Sequence, residues 1–210
     1  MKALVICNGE PPSRTLLRRH ARAADLIVAA DGGANSARVS GVRPDIIIGD
    51  LDSLRASTRK HFASSLIIHV KRQDNTDLEK ALDILSPRVK NVVIVAATGR
   101  RLDFTLGNLS VLWKYAGKIN ITVAGDGWQA FPIQRKLIRR VARGATVSLI
   151  PFGSCSGITL SGLKYPLTNA RMTVGEIGVS NVAVRSPFKV SVGKGNMLVL
   201  ILDSRKAKRS

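Results

Sequence analysis

Six short apolar runs in the first 124 residues constrain the fold of this chain more than any other feature. They are rich in Val, Ile, Leu and Ala, and apolar and polar residues alternate little within them. This pattern is typical of strands buried on both faces of a parallel sheet. We predict strands at Ala3–Cys7, Leu26–Ala30, Ile46–Ile48, Leu66–Val70, Val92–Ala96 and Ile119–Ala124.

Segments with apolar residues at helical spacing lie between these runs. The spacing predicts helices at Arg14–Ala23, Ala34–Val39, Asp77–Leu85 and Thr105–Tyr115. Thr76 precedes two acids in the first turn of the third helix, which is typical of an N-cap. The alternation of strands and helices predicts a doubly wound α/β domain over residues 1–124.

The pattern changes near Gly125-Asp126-Gly127. Beyond this point, short apolar runs are separated by turn residues, and no helical pattern is present. The runs are Trp128–Ile133, Thr146–Pro151, Cys155–Leu160 and Met197–Leu202. They predict a small antiparallel β-sandwich over residues 125–204. A basic tail at residues 205–210 is predicted to be disordered.

Composition limits the class of protein. The 210 residues are 45% apolar, which is enough to build a core, and the formal net charge is +19. Such a charge attracts polyanions, although it also fits an ordinary solvated surface. Two cysteines make no disulfide framework, and no apolar run approaches a secretory signal or a membrane span. We therefore expect a cytoplasmic protein without a membrane partner.

Four aspartates are concentrated in a stretch of this otherwise acid-poor chain. Asp31 directly follows the second predicted strand, Asp50 and Asp52 follow the third, and Asp77 begins a predicted helix. Ligands of open α/β sheets bind beyond the carboxyl ends of the strands, so these acids are expected at one edge. Carboxylates also occur in turns and caps. Three such motifs at strand ends nevertheless favour a Mg²⁺ site for phosphoryl chemistry.

Two loops add candidate phosphate ligands. The segment 71–77 mixes donors and acids before a helix N-terminus, which favours anion binding. Lys80 lies one helical turn beyond Asp77, where it either neutralises phosphate charge or forms a solvated ion pair. In the segment 98–103, an arginine is suited to clamp phosphate, and Asp103 either caps a helix or contacts a ribose. The sequence contains no P-loop, dinucleotide fingerprint or zinc-ligand spacing.

A series of motifs along nearly the whole chain resembles, in content and in order, the motifs of the thiamine pyrophosphokinase family. No single motif is specific to that family, but the ordered combination is. The motifs are Asn8-Gly9-Glu10-Pro11, Asp31-Gly32-Gly33-Ala34-Asn35, Pro44-Asp45 through Gly49-Asp50-Leu51-Asp52-Ser53, Gln73-Asp74-Asn75-Thr76-Asp77-Leu78-Glu79-Lys80-Ala81-Leu82, Arg101-Leu102-Asp103, Leu106-Gly107-Asn108-Leu109, Gly162-Leu163-Lys164-Tyr165-Pro166-Leu167 and Gly178-Val179-Ser180-Asn181.

The resemblance implies transfer of the pyrophosphoryl group of ATP to the hydroxyl of thiamine, with Mg²⁺, giving thiamine diphosphate and AMP. It also implies a homodimer whose sites lie between the α/β domain of one subunit and the β-sandwich of the other. The proton acceptor is left unassigned, with a metal-bound carboxylate as the natural candidate. The implied metal ligands are Asp31, Asp50, Asp52 and Asp77; the implied ATP ligands are Gln73, Thr76, Lys80, Arg101 and Asp103; and the implied thiamine ligands are Ser180 and Asn181.

The chain departs from the family pattern in one loop. Where the family reads Gly-Ala-Thr-Gly-Gly-Arg-x-Asp-His, residues 96–104 replace two glycines and the histidine. Arg100 adds a charge where glycine is expected, and Phe104 removes a polar group. The departure bears on the nucleotide contacts more than on the metal site.

Two alternatives to thiamine transfer remain at this point. One is the same transfer to another hydroxymethyl heterocycle, such as a pterin. The other is an inactive homologue that binds polyanions through its basic surface. Aromatic residues make up only 4% of the chain, and no nucleic-acid motif is present. A nucleic-acid partner is therefore not expected.

Overall fold

The computed structural model describes residues 1–72, 74–176 and 178–203. The chain forms two compact units that divide between Asp126 and Gly127. Gln73 and the predicted tail lie outside the described residues. The sequence predicted helices and strands up to residue 124 and strands alone beyond it, and the described elements follow that order.

The first unit contains six parallel strands. In sheet order they are β4-β3-β2-β1-β5-β6, and each neighbouring pair runs parallel. Their bounds are β1 Lys2–Ile6, β2 Leu26–Ala30, β3 Ile46–Gly49, β4 Leu66–His69, β5 Asn91–Val95 and β6 Asn120–Gly125. The apolar runs therefore predicted every parallel strand to within a residue or two.

Among the described residues, five α-helices connect these strands. They are α1 Arg14–Arg22, α2 Gly33–Val39, α3 Ala56–His61, α4 Asp77–Leu85 and α5 Leu102–Val111, which continues as a 3₁₀ turn through Lys114. The sequence did not predict α3, because only Thr58 of this short helix is buried and no apolar stripe marks it. It also placed the start of α5 at Thr105, three residues late.

Both faces of the parallel sheet are buried. Leu4 and Ile6 of β1 contribute to one core cluster, together with Leu17 of α1 and Ala34 of α2. The alternate β1 residues, including Val5, are equally buried, and α4 contacts β1, β2 and β3. Burial of consecutive strand residues explains why the sequence showed continuous apolar runs instead of alternation.

The second unit is built from antiparallel strands. Their order is β7-β13-β9-β12-β8, and β10 and β11 also pair with β9. The bounds are β7 Trp128–Ile133, β8 Lys136–Arg139, β9 Thr146–Ser161, β10 Leu167–Met172, β11 Asn181–Val182, β12 Phe188–Ser191 and β13 Lys194–Leu202. Phe188, Ile158 and Met197 are fully buried in its core.

The prediction of two strands at 146–151 and 155–160 was wrong, because β9 is a single strand of 16 residues. Gly153 and Gly157 have φ of 93° and 67°. Glycine accepts these angles, so the strand bends at them and continues to pair. Turn-forming residues therefore marked irregularities within one strand and not its end.

The sequence also missed β8, β10, β11 and β12. β8 has the composition Lys-Leu-Ile-Arg and buries only Leu137. β10 likewise buries one residue, Met172. Such short, polar strands lack the apolar pattern on which the prediction relied. Among the residues that the structure describes, no helix has the length and apolar character needed to cross a bilayer.

Candidate active site

A cavity of about 930 Å³ opens within the first unit. Its lining comes from the segments that follow β1, β2, β3 and β5, from the start of α4 and from one side of α5. These segments meet because parallel strands present their carboxyl ends at the same edge of a sheet. The four predicted aspartates therefore lie in one cavity, although they are spread over 47 residues of the sequence.

Three carboxylates form the centre of this cavity. One oxygen atom from each of Asp31, Asp50 and Asp77 lies within 4.8 Å of the other two. Asp31 follows β2, Asp50 follows β3, and Asp77 is the first residue of α4. A single cation can therefore contact all three side chains.

Gly49 makes this approach possible. A Cβ atom at Gly49 would lie 2.9 Å from Cβ of Asp31 and 3.0 Å from Oδ1 of Asp77. Its φ of 155° is also one that residues with side chains rarely adopt. Only glycine at this position allows Asp31 and Asp77 to come together.

The carboxylates are partly removed from water. Asp31 is 3% exposed, and its Oδ1 atom is buried with no hydrogen-bond partner in the described part of the chain. Burial raises the pKa of Asp31 and also that of Asp77, while Lys80 acts to lower the pKa of Asp77. A buried oxygen without a donor next to other acids fits a divalent cation, which would supply the missing positive charge.

Asp52 lines the same cavity but stands apart from this group. Within the described ranges, the acids close enough to share one ion are Asp31, Asp50 and Asp77. The segment after β3 is not extended, because Leu51 has φ of 68° and the backbone N–H of Asp52 donates to Oδ1 of Asp50 over 3.3 Å. Asp52 Oδ1 accepts a hydrogen bond from the Ser53 hydroxyl.

The start of α4 fixes Asp77. Thr76 caps the helix, since its Oγ1 accepts from the backbone N–H of Glu79 at 3.2 Å. Lys80 then donates from Nζ to Oδ1 of Asp77 at 2.8 Å, and its side chain is only 3% exposed. The predicted cap is present. The pair between Lys80 and Asp77 is not a solvated surface pair, because the lysine is buried and the aspartate side chain is only 25% exposed.

The two arginines of the loop after β5 make different contacts. Arg101 pairs with the carboxylate of Asp103 at 2.6 Å and lies 4.3 Å from the centre of the Phe104 ring. Asp103 also accepts from the backbone N–H of Phe104. Arg100 and Arg101 line the cavity, whereas Asp103 is not among its lining residues.

Two asparagines that line the cavity, Asn75 and Asn108, were not singled out in the sequence as candidate site residues. Asn108 is buried and donates from Nδ2 to the carbonyl of Ala97 at 2.9 Å, which ties α5 to the end of β5. Oδ1 of Asn75 is buried without a hydrogen-bond partner among the described residues. Both residues were inside the family-like motifs, but a single asparagine gives no signal of burial until the fold is known.

The predicted thiamine ligands lie in the second unit and do not line this cavity. Ser180 is exposed, with φ of 62°. Asn181 is 8% exposed, and its side chain ties the segment at Tyr165 to β11. Its Oδ1 accepts from the backbone N–H groups of Tyr165 and Val182, and its Nδ2 donates to the carbonyl of Tyr165 at 2.7 Å.

Models of known protein families match the sequence of both units. The thiamin pyrophosphokinase catalytic domain matches residues 17–123, and the thiamin pyrophosphokinase vitamin B1 binding domain matches residues 135–197. A thiamine pyrophosphokinase of Bacillus subtilis is 30% identical over 83% of this chain and 86% of its own length. Thiamine pyrophosphokinase 2 of Arabidopsis thaliana is 31% identical over 86% of this chain and 78% of its own.

Solved structures agree as well. The crystal structure of the Bacillus subtilis enzyme superposes with a TM-score of 0.84, at 25% identity over 97% of this chain and all of that one. That of a thiamin pyrophosphokinase from Geobacillus thermodenitrificans gives 0.85 at 26% identity, over 97% and 98% of the two chains. The chain belongs to the thiamin pyrophosphokinase family.

Proposed function

We propose that this protein is a thiamine pyrophosphokinase. It transfers the pyrophosphoryl group of ATP to the hydroxyl of thiamine and releases AMP. The observation that carries the proposal is the group of Asp31, Asp50 and Asp77 in a cavity of the domain that matches the family's catalytic model. Relatives of 30% and 31% identity that bear this name support the choice of substrates.

The three carboxylates are suited to hold Mg²⁺. Their oxygens are close enough to share one ion, and Oδ1 of Asp31 lacks any other partner among the described residues. When bound there, Mg²⁺ would neutralise part of the phosphate charge of ATP. We propose that Asp52, which lines the same cavity, would help to hold this ion and the phosphates that it binds.

The remaining residues of the cavity position ATP. Lys80 holds the carboxylate of Asp77 and places a positive charge beside the phosphates. Thr76 fixes the first turn of α4. Arg101 lines the cavity and would contact the nucleotide, while Asp103, which is not among the lining residues, would act through its ion pair with Arg101. Gln73 stays a predicted ATP ligand that lies outside the described residues.

The reaction follows from its products. The thiamine hydroxyl oxygen forms a bond to the β-phosphorus of ATP, the bond from that phosphorus to the oxygen bridging to the α-phosphate breaks, and AMP leaves with that oxygen. The hydroxyl proton is released to a base. Fixed charges that hold the donor and acceptor in line lower the barrier through positioning and electrostatics. These are the roles that the chain's own residues fill.

We propose further that the first unit, a doubly wound α/β domain, binds Mg²⁺ and ATP, and that the second, a β-sandwich, binds thiamine. In this proposal the protein is a cytoplasmic homodimer, and Ser180 and Asn181 of one subunit serve the ATP site of the other. The match of the vitamin B1 binding domain to residues 135–197 supports the assignment of thiamine.

Mixing of two inactive variants tests the shared site. Asp50→Asn removes a metal ligand of the first unit, and a bulky Ser180→Trp obstructs the second. Co-purified heterodimers of the two variants should regain part of the activity, because one of their sites combines two intact units. Absence of any recovery in heterodimers, with each variant folded, contradicts a site shared between subunits.

An end-point assay tests the function itself. Purified protein with ATP, thiamine and Mg²⁺ should produce thiamine diphosphate and AMP in equal amounts, detected by chromatography, and EDTA should stop both. A hydroxymethylpterin offered in place of thiamine should give no diphosphate. Failure to form AMP from ATP and thiamine, together with strongly salt-dependent binding of nucleic acid, would instead identify a polyanion binder.

A further inference from the structure

Four cationic side chains line the cavity of the first unit, and they are not equivalent. Lys80 pairs with Asp77 at 2.8 Å, Lys114 pairs with Glu79 at 2.6 Å, and Arg101 pairs with Asp103 at 2.6 Å. No carboxylate among the described residues lies within ion-pair distance of the fourth, Arg100. Within the described ranges, Arg100 is therefore the cation of this cavity whose charge is not compensated by an ion pair.

The backbone and the neighbours of Arg100 direct it toward the cavity. Its φ of 58° is in the left-handed region, which few residues with side chains adopt without a stabilising contact. Its Nη1 donates to both the backbone carbonyl and Oδ1 of Asn8, each at 3.3 Å. These long bonds engage a single nitrogen, and a guanidinium has further N–H donors on its other nitrogens.

Asn8 joins Arg100 to the acidic centre. A Cβ atom at Gly32 would lie only 2.4 Å from Nδ2 and 2.5 Å from Oδ1 of Asn8, so the amide lies directly against the backbone next to Asp31. The backbone of Gly9 is bonded to the carbonyl of Ala96 at 2.7 Å, which holds this segment against the loop after β5. Arg100 therefore lines the same cavity as the proposed metal ligands and is held there through Asn8.

We propose that Arg100 is a phosphate-binding residue of this enzyme, and that it contacts the ATP polyphosphate held by the carboxylate-bound cation. This inference rests on the proposed function and deepens it at a position where glycine is usual in the family. Arg101 is already engaged by Asp103 and by the Phe104 ring. The Nε and Nη2 atoms of Arg100 have no hydrogen-bond partner among the described residues, and together they form a planar fork that matches phosphate oxygens in a bidentate way.

The test replaces Arg100 without disturbing its backbone. Asn tolerates the left-handed region, so Arg100→Asn removes the charge at little conformational cost. Arg100→Lys keeps the charge and loses the fork. Arg59→Gln, an exposed residue of α3 that is not among the cavity-lining residues, serves as the control for losing one positive charge.

Binding of a non-hydrolysable ATP analogue with Mg²⁺, measured by calorimetry without thiamine, is the first readout. Arg100→Asn should bind it about 10- to 100-fold more weakly, the range for a lost charge-assisted bond. Arg100→Lys should bind with intermediate affinity, and Arg59→Gln should bind like the wild type. In steady-state assays the KM for ATP should rise in Arg100→Asn while the KM for thiamine stays unchanged.

Two results would overturn the inference. One is an Arg100→Asn variant that binds the analogue as tightly as the wild type. The other is an equal loss in Arg59→Gln, which would indicate a general effect of net charge. If the wild type binds the analogue but forms no thiamine diphosphate, the proposed acceptor fails, while the role of Arg100 in phosphate binding is judged on the binding data alone.

Discussion

Lys80 and Asp77 form an ion pair one helical turn apart, with Nζ 2.8 Å from Oδ1 and the lysine side chain only 3% exposed. Asp77 is at the same time one of the three carboxylates that can share a cation. Lys80 therefore stabilises an acid that burial and two neighbouring acids would otherwise favour in its neutral form.

Removal of Lys80 should destabilise the protein. In Lys80→Met the carboxylate of Asp77 loses its partner, and we expect the free energy of unfolding to fall by about 3 kcal/mol, as for other broken buried pairs. Asp77→Asn combined with Lys80→Met should recover part of this loss. Urea unfolding without Mg²⁺ measures both, and a loss no larger than that of the exposed Lys60→Met would contradict the buried pair.

Asp50→Asn should weaken Mg²⁺ binding without lowering the stability of the metal-free protein. Crowded carboxylates repel without a cation, so this variant should be at least as stable as the wild type in EDTA. Addition of Mg²⁺ should raise the Tm of the wild type but not that of Asp50→Asn. The variant's activity should fall by about a hundredfold or more.

The control for this experiment is Asp25→Asn, whose carboxylate accepts from the backbone N–H of Lys2 and is not among the cavity-lining residues. It should keep the response to Mg²⁺. A Mg²⁺-induced rise in Tm that persists unchanged in Asp50→Asn is incompatible with the proposed metal ligands.

Two helical glycines should respond in opposite directions to alanine. At Gly33 a Cβ would lie 2.0 Å from the carbonyl oxygen of Ile6, so Gly33→Ala should cost about 2 kcal/mol or more. At Gly107 the nearest atom is Cγ2 of Thr76 at 3.9 Å, an ordinary contact. Gly107→Ala should therefore stabilise α5 by about 0.5–1 kcal/mol. Thermal unfolding of both variants compares them, and equal signs would refute the packing described.

Asn181 should behave as a structural residue in addition to any role toward thiamine. Asn181→Ala leaves two backbone N–H groups and one carbonyl without their partner, and we expect a loss of about 2 kcal/mol. Ser180→Ala should change stability by less than about 0.5 kcal/mol, because the hydroxyl is exposed. Denaturant titration distinguishes the two; a fully stable Asn181→Ala that loses thiamine binding would instead indicate a direct contact only.

His20 should make the protein sensitive to mild acid. Burial lowers the pKa of His20, with Arg19 and Lys2 adding to the effect, and its Nε2 is buried with no hydrogen bond to any residue that the structure describes. The unfolded chain binds this proton more readily than the folded chain. The free energy of unfolding should therefore be highest above the ordinary histidine pKa of about 6.5 and should decrease as the pH drops below it. His20→Gln should lose less stability than the wild type between pH 8 and pH 5; identical losses would exclude His20 as the cause.

The parallel strands and the acids that follow them were predictable because both depend on local patterns. A strand buried on both faces needs consecutive apolar residues, and the sheet then brings Asp31 and Asp50 to one edge. The cap at Thr76 and the start of α4 were predictable for the same reason. The second unit was less predictable, because polar strands such as β8 gain their stability from neighbours and not from their own composition.

The sequence by itself determined the family, the parallel strands of the first unit and the acidic residues that we propose as metal ligands. Only the tertiary structure decided which of those residues meet. In the folded chain, Asp52 lies apart from the three clustered carboxylates and Arg101 pairs with Asp103. Arg100 has no acidic partner among the described residues. The physical reason is that local pattern fixes each element, whereas distances between side chains of different elements depend on long-range packing and on single backbone angles such as those of Leu51 and Arg100.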